Sequence, residues 1–129
     1  MTESLFPQPA PTSQAYQLYV ELEGVRPKVW RRFLAPITIE LPAVHRTILY
    51  GMGWQGGHIH EFFFGEDSYG RKDPPFEPDF PEVLDEDGVP LRQALGGRKT
   101  FVYLYDYGDN WRHKVKIEKV VAVDTPIAR

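Results

Sequence analysis

Residues 100–123 read TFVYLYDYGDNWRHKVKIEKVVAV. Phe101, Tyr103 and Tyr105 alternate with Val102 and Leu104, the period-two pattern of a strand with both faces engaged. From Trp111 onward His113, Val115 and Ile117 alternate with charged residues, which predicts a long half-buried strand from Trp111 to Val123. Between them Asp106-Tyr107-Gly108-Asp109-Asn110 carries turn chemistry. Gly108 is expected to supply a positive φ, and the Asp and Asn side chains to bond nearby backbone N–H groups. Trp111 is expected to pack across the hairpin. The surplus carboxylates call for a cationic partner, for which Arg31 or Arg32 is the candidate.

Working outward, Tyr16, Leu18, Val20 and Leu22 share one face of a strand that Gly24 and Pro27 end, and a second strand follows over about Val29 to Ala35. Leu41, Val44, Ile48, Leu49 and Met52 recur at helical spacing, with Pro42 in the first turn and Gly51 and Gly53 at the end. His58 to Phe64 reads as a strand covered on both faces. Gly65 to Gly88 reads as a long insertion holding Pro74, Pro75, Pro78 and Pro81, and Val89 to Leu95 as a short helical piece. The expectation is one α+β domain over residues 16–123, with a flexible tail at 1–15 and a C-terminal tail at 124–129. Its sheet is mostly antiparallel with about five strands and one main helix on one face, in the order β-β-α-β-(short α)-β-β.

The chain has 129 residues, no cysteine and a formal net charge of −3. Disulfides, thiolate metal sites and cysteine nucleophiles are thereby excluded. No apolar run reaches the roughly 18 residues that cross a bilayer, so no membrane association is expected. The N-terminus has no basic segment of a secretory leader, and the expected compartment is the cytoplasm. Residues 66–88 hold nine acids and two bases, which leaves nine acids and thirteen bases elsewhere. An acidic, proline-rich insertion therefore sits in a mildly basic domain.

Three segments together carry a resemblance: YQLYVELEGVRPKVWRRFLAP (16–36), LPAVHRTILYGMGWQGGHIHEFFFG (41–65) and FVYLYDYGDNWRHKVKIE (101–118). In order and spacing they closely resemble the plasmid pRiA4b ORF-3-like family, often labelled insertion-element passenger "TnpR" proteins. The matching signatures are Val29 to Arg32, Met52-Gly53-Trp54, His58-x-His60-Glu61-Phe62 and Tyr105-Asp106-x-Gly108-Asp109-x-Trp111-x-His113. The resemblance implies an α+β fold and an association with mobile elements, not a defined chemistry. Serine recombination is rejected, because Ser4, Ser13 and Ser68 lie outside every motif. Many members continue into a cysteine-containing segment after the last strand, whereas this sequence ends at Arg129. That implies a short member or a truncated one.

Three functional readings follow. His58, His60, Glu61, Asp106, Asp109, Trp111 and His113 form a candidate polar site, in which His58, His60 and His113 would be ligands for a divalent metal. The competing reading makes His60 and His113 buried, hydrogen-bonded residues and leaves His58 exposed, with no cofactor. His45, at the edge of the helix stripe, reads as a packing residue with a satisfied nitrogen. Arg26, Lys28, Arg31, Arg32 and Arg46, set among Tyr19, Trp30 and Phe33, are candidate nucleic-acid contacts. Alternation places Arg31 and Arg32 on opposite faces, which weighs against a single patch. The acidic segment Asp73 to Asp87, with Phe76 and Phe80 as anchors, is a candidate surface for a protein partner. The reading that results is a non-enzymatic binding or accessory module, with nucleic-acid binding and a metal-dependent enzyme as alternatives.

Overall fold

A computed structural model describes residues 13–71 and 83–123. The tails at 1–12 and 124–129 and most of the acidic segment, residues 72–82, lie outside the described residues. The order is β1 (Ser13–Leu22), β2 (Trp30–Pro36), α1 (Leu41–Met52), β3 (His60–Phe64), β4 (Asp67–Gly70), β5 (Val83–Asp85), α2 (Leu91–Leu95), β6 (Thr100–Tyr105) and β7 (Trp111–Val123). One sheet of seven strands runs β2-β1-β7-β6-β3-β4-β5. Every neighbouring pair is antiparallel except β4 and β5, which are parallel.

This corrects the expected architecture. The chain is mostly β, half strand and about a sixth helix, with one mixed sheet and two short helices. It is not a five-stranded antiparallel sheet with one main helix. The additional strands come from the insertion, whose two ends form β4 and β5 and extend the sheet beyond β3. Asp67-Ser68-Tyr69-Gly70 carries little apolar pattern, since this short strand is held between β3 and the edge strand β5 mainly by backbone hydrogen bonds.

The core lies on one face. Leu18, Val20 and Leu22 of β1, Val115 and Ile117 of β7, Phe101 and Tyr103 of β6, and Phe62 and Phe64 of β3 pack there with the buried stripe of α1. Each fully buried aliphatic or aromatic side chain contributes about 1.5–3 kcal/mol relative to exposure. Helix α1 has Pro42 in its first turn, and Gly53 closes it in the left-handed region with φ 82°. Gly51 marks where α1 meets β2: a Cβ there would lie 2.3 Å from Cζ of Phe33. Gly51→Ala should therefore destabilise the protein by about 1–2 kcal/mol, although alanine is the better helix former by about 1 kcal/mol. Urea unfolding checks this. A raised midpoint would mean the Phe33 ring swings aside at no cost.

Candidate functional site

The polar residues of the core cluster around Tyr103. His60 on β3 is 4% exposed and Glu86, just after β5, is 1% exposed. Nε2 of His60 donates to Oε1 of Glu86 at 2.8 Å. Glu86 reaches this position because its backbone N–H bonds the Gly70 carbonyl and its carbonyl accepts from Val89. His45 of α1 stacks on His60, with ring centroids 3.7 Å apart and planes 12° from parallel. The Tyr103 hydroxyl donates to Nδ1 of His45 at 2.6 Å. Burial raises the phenol pKa far above its ordinary value. Burial also pushes His45 down to about 4, helped by the charge on His60 and by Arg46 and Arg71. A charge on His45 would face the His60 ring at stacking distance, which adds to the cost of protonating it.

His113, fully buried on β7, lies across Tyr103 from His60, as His60, Tyr103 and His113 share the core face. Its Nδ1–H donates to the Tyr103 carbonyl at 3.0 Å, and its Nε2 accepts from the Trp54 indole N–H at 2.9 Å. The ring is therefore held as the neutral tautomer. Desolvation lowers its pKa against the opposing pull of the Tyr103 and Trp111 backbone groups and of Glu23. Trp54 stacks on Trp111 at 5.1 Å, which fastens the end of α1 to the start of β7.

The remaining members of the expected polar site are elsewhere. His58 precedes β3 and is over half exposed, with Nδ1 3.5 Å from Oδ2 of Asp106. Glu61 is buried on the opposite face of the sheet, where the Tyr107 hydroxyl donates to it. Asp106 Oδ1 accepts from the backbone N–H of Gly108 and Asp109, an Asx turn. The positive φ values fall on Asp106 (67°) and Asn110 (59°), not on Gly108. Neither arginine partners this turn: Arg31 donates to the Gly51 carbonyl and Arg32 binds Glu118. No group of three or more His, Cys, Asp or Glu among the described residues is arranged to hold a metal ion. Nor does any buried side-chain nitrogen or oxygen among them lack a partner. Sequence alone does not single out Glu86. Its only signal is that the acidic run Asp85 to Asp87 abuts the apolar Val89-Pro90-Leu91.

The face of the sheet opposite the helices is chemically different. Register lines up Trp30, Glu21, Lys114, Val102 and Phe63 across β2, β1, β7, β6 and β3. A second row holds Arg32, Tyr19, Lys116 and Thr100. The Arg32 guanidinium is 5.4 Å from the Tyr19 ring centroid and 5.1 Å from that of Trp30, and its Nε and one terminal nitrogen donate to the two oxygens of Glu118. That charge-assisted fork, with Gln17, pulls the Glu118 pKa down to about 2. Arg112 lies over Phe63 at 5.9 Å. Of the expected basic patch, Arg32 belongs to this face, and Lys28 approaches it through Glu21 at 3.8 Å. Arg31 turns to α1, Arg46 lies on α1, and Arg26 is exposed in the β1–β2 connection.

Among the described residues the geometry defines a one-sided sheet domain, with helices and a closed polar core on one face and a charged aromatic surface on the other. Residues 14–128 match the plasmid pRiA4b ORF-3-like protein family, and the chain belongs to that family. It is 39% identical over 105 residues to the uncharacterized protein y4hQ of Sinorhizobium fredii, covering 80% of this chain and 53% of that protein. The chain thus spans about half the length of that curated relative. The crystal structure of a protein of unknown function from Methanosarcina mazei Go1 shares the fold, with a TM-score of 0.75 and 24% identity. The match covers 92% of this chain and 67% of that one. No helix among the described residues is long and apolar enough to cross a membrane.

Proposed function

We propose that the chain is a non-enzymatic binding module, working without a cofactor, whose helix-free sheet face takes an anionic partner. The charge balance of that face carries the reading. Of its acids, Glu118 is paired with Arg32 and Glu21 with Lys28, while Glu61 is buried and accepts a hydrogen bond from the Tyr107 hydroxyl. Lys114 and Lys116, both exposed, and Arg112 form a line on the interior strand β7. Among the described residues none of the three has an acidic side chain within ion-pair distance.

The histidines support this reading from the other side. Both nitrogens of His113 are engaged within the fold, and His60 is tied to Glu86. His58 lies apart at Asp106. The metal-dependent alternative, which needs His58, His60 and His113 to converge, finds no support in this arrangement.

The test is fluorescence anisotropy with labelled inorganic polyphosphate at about 50 mM salt, where counterion release favours binding. The double variant Lys114→Glu/Lys116→Glu should bind at least about tenfold more weakly while keeping the wild-type Tm. No binding by the wild-type protein at low salt would reject the proposal.

A further inference from the structure

We infer that the anionic ligand of the helix-free face is a single-stranded nucleic acid; this rests on the binding-module reading. The reason is what accompanies the cations. An acidic peptide or polyphosphate needs only positive charge. This face sets flat π surfaces on both sides of its basic line. Trp30, 42% exposed, stands at one end of the row that passes through Lys114 to Phe63 at the other. Four strand-to-strand steps separate the ends, roughly 19 Å at the usual spacing. A path of that length accepts about four nucleotides, the short end of single-strand site sizes.

The platforms are held before any ligand arrives. Arg32 is pinned on Glu118 by two hydrogen bonds of 2.8 and 3.0 Å, so its guanidinium plane is fixed against Trp30 and Tyr19. The Trp30 and Tyr19 rings lie 5.7 Å apart, tilted by 30°. At the far end Arg112 covers Phe63 and offers its own planar cation to a base or a phosphate. Bases stack on aromatic and guanidinium planes irrespective of sequence, while Lys114 and Lys116 between them meet the phosphates. A duplex cannot use these platforms, because its bases are already stacked inside and only its phosphates reach a broad sheet face.

The experiment measures anisotropy of labelled strands of about 12 thymidine or uridine nucleotides, their duplexes, and labelled polyphosphate over a salt series. Binding of either single strand, with a log–log salt slope of about −2 from the three cations, supports the inference. Trp30→Leu should weaken single-strand binding by about 5- to 100-fold, and leave the salt slope and polyphosphate affinity unchanged. Lys114→Gln/Lys116→Gln should instead flatten the slope to about −0.7. Equal affinity for duplex, polyphosphate and single strand, or no effect of Trp30→Leu, would overturn the inference and leave the binding module standing. Failure to bind any of them would overturn both.

Discussion

Glu86→Ala should lower the free energy of unfolding by about 3–5 kcal/mol, a large share of the stability of a domain this size. The carboxylate is almost wholly buried and is the partner of His60 at 2.8 Å. Without it, His60 stays 4% exposed with its Nε2–H unsatisfied, directly beneath the ring of His45. Breaking one side of such a pair costs more than the pair itself contributes, because the desolvated partner remains behind. Glu86→Gln keeps an acceptor at the same place and should cost clearly less. Urea unfolding followed by tryptophan fluorescence separates the two variants. If alanine cost no more than about 1 kcal/mol, Glu86 would be taking part from solvent, contrary to the burial described.

Acid should destabilise the protein before its carboxylates titrate. Burial, reinforced by His60, Arg46 and Arg71, holds the pKa of His45 at about 4 against an ordinary 6.5. Below pH 6.5 the unfolded chain therefore takes up a proton that folded His45 refuses. Stability is complete above that pH and falls as the pH drops towards 4. One pH unit over that interval is worth at most about 1.4 kcal/mol. Because His45 is partly accessible, solvent screening reduces the total to about 2 kcal/mol. His113, also lowered by burial, acts in the same direction. Glu118, held down to about 2 chiefly by Arg32, contributes stability that is present above the normal carboxylate range and lost only below it. The interval between pH 6.5 and 4.5 thus reports the histidines. Unfolding midpoints measured across it should slope downward with acid, and His45→Gln should flatten the slope. An unchanged slope in that variant would discount His45 as the source.

Some of this architecture could be read before any coordinates. The stripe Leu41, Val44, Ile48, Leu49 and Met52 marks α1 because it repeats at helical spacing between a proline and a glycine, both local signals. The alternation of β7 likewise needs only neighbouring residues. The strands β4 and β5 escaped because Asp67–Gly70 and Val83–Asp85 are defined by their neighbours' backbone groups, not by their own side chains. Glu86 escaped for a related reason. In an acidic run it looks solvated, and its burial is decided by His60, 26 positions earlier in the chain. Alternation assigned Arg31 and Arg32 to opposite sides. It could not reveal the row from Trp30 to Phe63, which exists because β1 pairs with β7, nearly the whole chain away.

The parallel pairing of β4 with β5 has a further meaning. Gly70 and Asp85 are register partners, and the Glu86 N–H closes onto the Gly70 carbonyl just beyond them. Because the pairing is parallel, the chain leaves the sheet after Gly70 at one end of the pair and re-enters at Val83, beside Ser68, at the other, while Glu86 and His60 fasten the far end of β5 to the core. For a closed loop between two fixed ends, each doubling of length costs only about 0.6 kcal/mol. A reporter or an affinity tag inserted between Gly70 and Val83 should therefore cost little stability, joined to the sheet at the edge opposite β2 and Trp30.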